Sequence, residues 1–245
     1  VTVGLISYDD AEAAAFAATR ELAPAGLTHW RHAVREHLRP HPGSTLLDLG
    51  AGTGAWATTF AGWYGVRVLA VEPAPAMRDR CPHRPMLAGE ATALPLAASS
   101  VDGAWLSTML HHVPDLDAVA RQLRRVLRPG APVLIRSPFP GRHQLVALFE
   151  WFPEAIRVLD QFPSLSRVRS AFAAAGFPVS SVEPVAQTVA TSLAEYADRI
   201  DRRAHTPLHL ITESEFRAGM ARLRQAVRGS APAPVVDHLD LLVLR

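Results

Sequence analysis

Asp48 closes a short apolar run, and Gly50, Gly52 and Gly54 come after it at alternate positions. Glycine turns tightly off a strand and lets backbone N–H groups approach a ligand with no Cβ in between. A helical pattern starts at Ala55, so the unpaired N–H groups and positive dipole end of that helix face whatever lies over the turn. A second apolar run, residues 66–72, ends in Glu72. A carboxylate at that distance beyond a glycine turn accepts the two hydroxyls of a ribose. Together these features suit a nucleotide-like ligand.

Two patterns fit the turn. Gly50, Gly52 and Ala55 satisfy the G-x-G-x-x-G/A of dinucleotide sites, while Asp48, Gly50, Gly52 and Gly54 satisfy D-x-G-x-G-x-G. The residues downstream separate them. Gly89, Glu90 and Ala91 open a segment that runs to Leu96 and is followed by Ser99, Ser100, Val101, Asp102, Gly103, Ala104 and Trp105. His111 and His112 then precede a helix that stops at Arg128, Pro129 and Gly130, and a strand covers residues 131–136. In this order residues 40–137 resemble the class I S-adenosylmethionine-dependent methyltransferases, in particular the small-molecule branch of quinone-biosynthesis and natural-product enzymes.

The resemblance implies a Rossmann-like α/β fold. Its sheet is mostly parallel and seven-stranded, with an antiparallel last strand, N-terminal lid helices and a helical insert after the fifth strand. It implies S-adenosylmethionine as cofactor, S-adenosylhomocysteine as product, and contacts from Asp48, Gly50, Ala51, Gly52, Gly54, Glu72, Pro73, Glu90, Ala91 and Ser107. Glu72 would hold the ribose, Glu90 and the Ala91 N–H the adenine edge, and Asp48 the ammonium, directly or through water. Tyr8 and Arg20 resemble a lid tyrosine and arginine, with Arg20 either forked onto the methionine carboxylate or exposed on its helix.

A sulfonium makes the cofactor's methyl group electrophilic, so the protein's task is to align a nucleophile and exclude water. An acidic acceptor also needs a base of pKa near 7, the range of histidine. His111 and His112 lie past the fourth strand, at the carboxyl edge where open α/β sheets bind ligands. Adjacent residues point apart, so one of them is expected to face the cavity, either as base or as packing against the cofactor. His143, His205 and His209 come later and either line a pocket or stand at the surface. No His, Cys, Asp and Glu grouping has zinc spacing, so no metal is expected.

These residues need a scaffold, and the chain divides into three zones of a single domain over residues 1–245. Residues 1–43 carry two helical patterns, 10–22 and 27–38, with Asp10 placed to cap the first. Residues 44–137 alternate strand and helix, which implies a parallel sheet with crossover helices. Residues 138–245 hold helical stretches near 142–160, 167–175, 192–203 and 213–228, a strand at 179–189 and a final strand at 239–244. Phe149, Trp151, Phe152, Phe162, Phe172 and Phe177 concentrate aromatic surface there, which suits an apolar or aromatic substrate or ordinary packing on the sheet. Phe16 and Trp30, at helical spacing, read as core.

Composition narrows the function. With 245 residues, 49% of them hydrophobic, the chain supports one sizeable core. A net charge of +2 with scattered basic residues argues against a nucleic-acid partner. All 25 basic residues are arginine, which excludes Schiff-base and lysine-dependent P-loop chemistry. No apolar run reaches bilayer length, no secretory leader opens the chain, and the single Cys81 forms no internal disulfide, so a cytoplasmic setting without membrane is expected. The leading expectation is methyl transfer to a small molecule in secondary metabolism, oxygen slightly ahead of nitrogen or carbon, by a monomer or homodimer. The alternatives are a cyclase that keeps the same cofactor, an NAD-dependent oxidoreductase and, last, a nucleic-acid methyltransferase.

Overall fold

The computed structural model describes residues 8–19 and 24–245. Its middle layer is a seven-stranded sheet in the order β3-β2-β1-β4-β5-β7-β6. The parallel strands are β1 (Thr45–Leu49), β2 (Arg67–Glu72), β3 (Met86–Ala88), β4 (Gly103–Ser107) and β5 (Val133–Ser137). β7 (Val235–Leu244) runs antiparallel to both its neighbours, β5 and β6 (Val179–Ala190). This is the Rossmann-like α/β architecture with one antiparallel strand that the motifs imply. β7 begins earlier than residue 239 because its first residues pair with the far half of β6, where Val235 meets Ala190. Burial there is partial, so no continuous apolar run marks it.

The helices are α1 (Asp10–Thr19), α2 (Thr28–Leu38), α3 (Ala55–Tyr64), α4 (Pro75–Asp79), α5 (Leu116–Val126), α6 (Ala147–Trp151), α7 (Ile156–Leu159), α8 (Leu165–Ala174), α9 (Leu193–Arg199), α10 (Thr206–His209) and α11 (Glu213–Gly229). Alternation along the strands builds two cores. Leu46, Trp105, Leu134 and Leu241 face α2 and α3, where Trp30, Trp56 and Phe60 pack. Leu47, Leu106 and Ile135 face α5 and α8. α5 buries Leu116, Val119, Ala120, Leu123 and Val126, one helical stripe, and Asp115 caps it by accepting the Ala118 N–H.

Three local expectations need correction. Asp9, not Asp10, caps α1: its carboxylate accepts the Ala11 and Glu12 N–H groups, while Glu12 accepts the Asp9 N–H. The expected helix near 142–160 is broken, because Pro153 lacks an N–H and α6 ends before it. Phe152 instead plunges beneath α11, where Gly219 leaves room; a Cβ there would lie 2.2 Å from the Phe152 ring. The expected stretch 192–203 likewise stops at Arg199, where Ile200 turns extended.

The outer edge of β6 is protected. Gly26 approaches it so closely that an added Cβ would sit 2.3 Å from the Thr188 carbonyl oxygen. His37 of α2 lies 2.7 Å from the Glu183 carboxylate, and Pro184 carries no ladder N–H. Among the described residues, no helix is long and apolar enough to cross a membrane.

Candidate functional site

The glycine turn is stitched to the end of β2. The Gly50 and Ala51 N–H groups both donate to the Val71 carbonyl, at 2.9 and 3.1 Å. Glu72, 6% exposed, then clamps the turn: its carboxylate accepts the Gly52 N–H and the Ala74 N–H, each at 2.9 Å. Two of its lone-pair sites remain for a ligand. Burial pushes the Glu72 pKa up, and the Ala74 and Gly52 N–H groups pull it back. Arg78 ties down the same corner by donating to the carbonyls of Glu72 and Pro73.

Gly54 shows why glycine is required. It sits at φ +76°, and an added Cβ would lie 2.1 Å from the Cys81 sulfur. Gly54→Ala therefore combines left-handed backbone strain with a displaced buried thiol, and should cost roughly 2–4 kcal/mol. Thermal denaturation should show a melting temperature lower by about 5 °C or more. An unchanged melting temperature would mean that the turn has slack.

Asp48 shares a sheet face with Trp105 and is 1% exposed. Among the described residues its Oδ2 has no hydrogen-bond partner. Burial pushes its pKa up to about 7, against the pull of the Ala57 N–H and with a further push from Glu72. A buried, half-satisfied carboxylate is costly unless a cation meets it. Asp48, Gly50, Ala51 and Gly52 all line a cavity of about 220 Å³. The donor set fits S-adenosylmethionine: a carboxylate for a positive group, a glycine cradle for close approach, and an oriented acid beyond it.

The opposite wall comes from the carboxyl ends of β4 and β5 and from the insert. Ser107 and Thr108 line it, and Thr108 is held at φ +50°, a strained setting for a β-branched residue. His111 is buried and lines the cavity; its ring stacks on Phe162 at 4.0 Å, and its Nε2 lies 3.3 Å from the Thr206 hydroxyl. His112 is not among the walls. Its Nε2 lies 3.3 Å from the Tyr8 hydroxyl, and burial pushes its pKa down to about 4. Tyr8 itself lines the cavity, above the glycine turn together with Phe16. Phe16 is thus a wall residue and not core, whereas Trp30 is fully buried.

Other expected residues are dispersed. Glu72, Pro73, Glu90, Ala91 and Gly54 are not cavity walls; Glu72 is the last residue of β2, Pro73 follows it, and Glu90 and Ala91 lie past β3, with Glu90 exposed and Ala91 buried. Arg20 lies outside the described residues. Phe149 and Phe162 line the cavity, while Phe152, Phe172 and Phe177 are packing and Trp151 lies against the core. His205 is a wall residue, His143 packs on Phe149, and His209 faces Glu12. Among the described residues there is no group of three or more His, Cys, Asp or Glu side chains able to hold a metal. Sequence reasoning missed Arg136, Gln187 and Tyr196, all on the walls. Arg136 did leave a signal: a charge ending a buried strand, as Asp48 and Glu72 are.

Residues 47–135 match the family model of a methyltransferase domain. The demethylmenaquinone methyltransferase of Corynebacterium kroppenstedtii is 34% identical over 110 residues, which cover 44% of this chain and 48% of that protein. The chain spans about half the length of the curated relatives it matches. A protein of Anabaena variabilis assigned as a methyltransferase of an antibiotic biosynthesis pathway superposes with a TM-score of 0.70 at 20% identity, over 87% of this chain and 96% of that one. The 4+2 cyclase SpnF superposes at 0.60 with 17% identity, over 93% of this chain and 83% of that one. At such identities the structural likeness speaks for the fold.

Proposed function

We propose that this chain, whose residues 47–135 match the model of a methyltransferase domain, is a class I S-adenosylmethionine-dependent enzyme that transfers a methyl group to a small apolar or aromatic acceptor, with oxygen the favoured accepting atom. The observation that carries the reading is Asp48, a buried carboxylate with an unsatisfied oxygen in the cavity wall beside the glycine turn. A pyrophosphate would be repelled there, while an ammonium or sulfonium is attracted. The first turn of α3 directs its Ala57 N–H at Asp48.

When bound, S-adenosylmethionine supplies a methyl group already activated by its sulfonium. Glu72 holds the ribose, Asp48 the positive charge, and Tyr8 and Phe16 cover the turn against water. Phe162 and Phe149 hold the apolar body of the acceptor. His111 takes the acceptor's proton as the new bond forms, its ring fixed by Phe162 and Thr206. His112 has a different task. Neutral at physiological pH, it positions the Tyr8 hydroxyl. The cavity and the modest net charge favour a small-molecule partner over nucleic acid.

Calorimetry against S-adenosylmethionine, S-adenosylhomocysteine and NADH tests the cofactor, and binding of NADH alone would overturn the reading. A screen for acceptors then reads S-adenosylhomocysteine release. His111→Ala should lower kcat roughly a hundredfold or more at unchanged S-adenosylhomocysteine affinity. His112→Ala should act mainly on cofactor affinity; the opposite split would exchange their roles. SpnF shares this fold, so a cyclase on the same cofactor is the second reading. A product of unchanged mass, formed without S-adenosylhomocysteine, would establish it.

A further inference from the structure

Among the described residues, Arg39, Ser99 and Thr108 are the non-glycine positions with positive φ, at 46°, 49° and 50°. Arg39 ends α2 and Ser99 precedes β4; both are exposed, and neither branches at Cβ. Thr108 differs on each count. It is half-buried, it lines the cavity, and its two Cβ substituents crowd the backbone in this conformation. Glycine or asparagine would make the same bend at less cost. A strained, branched side chain kept on a cavity wall points to a use for that side chain.

The bend joins the two halves of the site. The Thr108 N–H donates to the Arg136 carbonyl at 2.8 Å, which ties the end of β4 to β5. Met109, next along, lies against the glycine turn, where a Cβ added to Gly50 would fall 2.8 Å from the Met109 Cβ. His111, a cavity wall, follows shortly after. Thr108 thus opens a bend that carries one contact to the cofactor cradle and one ring to the acceptor. Among the described residues its hydroxyl makes no hydrogen bond, whereas those of Ser107 and Thr206, also on the wall, face Arg136 and His111.

We propose that the Thr108 hydroxyl binds the accepting oxygen: it donates to one lone pair of a phenol or alcohol whose own O–H is directed at His111, and leaves the other lone pair for the incoming methyl group. A hydroxyl oxygen can donate once and still accept, and an oxygen held at two points is aligned for transfer. Thr108 is then a residue of acceptor specificity, and the substrate class is a phenol or alcohol with an apolar body. This rests on the reading of the cavity as a methyl-acceptor site.

The test titrates the full chain, saturated with S-adenosylhomocysteine, with 2-naphthol and 4-ethylphenol and with naphthalene and ethylbenzene, which lack the hydroxyl. At least one phenol should bind about tenfold or more tightly than its hydrocarbon. Thr108→Val keeps the shape and the strain, and should lower that preference about threefold or more. Thr108→Ser keeps the hydroxyl and should retain the preference within about twofold, and both variants should hold S-adenosylhomocysteine affinity within the same margin. Thr108→Gly should lower the preference as valine does and melt no lower than wild type, and it decides the matter if Thr108→Val fails to fold. Phenols that bind no better than their hydrocarbons overturn the proposal, as does a preference unchanged in Thr108→Val or lost in Thr108→Ser. So does a Thr108→Val protein that loses S-adenosylhomocysteine affinity, which would assign the hydroxyl to the cofactor, or a Thr108→Gly protein that melts lower, which would remove the strain. Failure of the wild-type chain to bind S-adenosylhomocysteine at all would instead count against the cofactor reading.

Discussion

Replacing Glu72 by alanine should raise the dissociation constant for S-adenosylhomocysteine by roughly a hundredfold or more. Two effects add. The ribose loses a charged acceptor, and charge-assisted hydrogen bonds of this kind are worth about 1.5–3 kcal/mol. The Gly52 and Ala74 N–H groups also lose the carboxylate that orders them, so the cradle is no longer preformed. Glu72→Gln separates these effects: its amide accepts one N–H through oxygen and presents a donor to the other, so an intermediate loss of about tenfold is expected. Calorimetry on both variants measures this. Affinities within threefold of wild type would place the ribose somewhere other than on Glu72.

Asp48→Asn should make the ligand-free protein more stable and the liganded one harder to form. An unfolded aspartate ionises near 3.8, whereas burial holds Asp48 protonated until about 7. Between those values the folded state binds the extra proton, so stability falls as pH rises through the interval and is level above it. The full cost of the ionised form is at most roughly 4 kcal/mol. A neutral amide escapes most of it, and a melting temperature raised by about 5 °C at pH 8 is the expected result. Binding moves the other way. Wild-type affinity for S-adenosylmethionine should climb from pH 6 to pH 8 as the carboxylate ionises, then level off. The asparagine variant should bind more weakly, on the order of tenfold at pH 8, with no such slope. A variant that is no more stable and keeps the slope would remove Asp48 from the cofactor's charge site.

The glycine turn, Asp48 and Glu72 were legible in the sequence because they lie within about twenty-five residues of chain on adjacent strands, where strand and helix periods fix which side chains share an edge. The order of elements through β5 was legible for the same reason, and it brought the antiparallel last strand with it. Helix ends were read less well. The Asp9 cap and the break at Pro153 depend on which carboxylate and which ring find a partner in three dimensions.

The walls of the cavity were decided by the fold. Gln187 comes to Arg136 across fifty-one positions of sequence, and Thr206 to His111 across ninety-five. No local pattern encodes such pairings. His111 and His112, adjacent in sequence and alike in type, keep their rings 4.0 Å apart and do not point apart as expected, yet they differ in surroundings, because the short turn at Leu110–His112 stacks one ring on Phe162 and brings the other to Tyr8. From the sequence alone came the cofactor edge and the reaction class it implies, since both rest on spacing within neighbouring strands. Which histidine lines the cavity, and that a buried arginine lines it too, came only from tertiary packing, because burial and long-range contact set a side chain's partners and its charge.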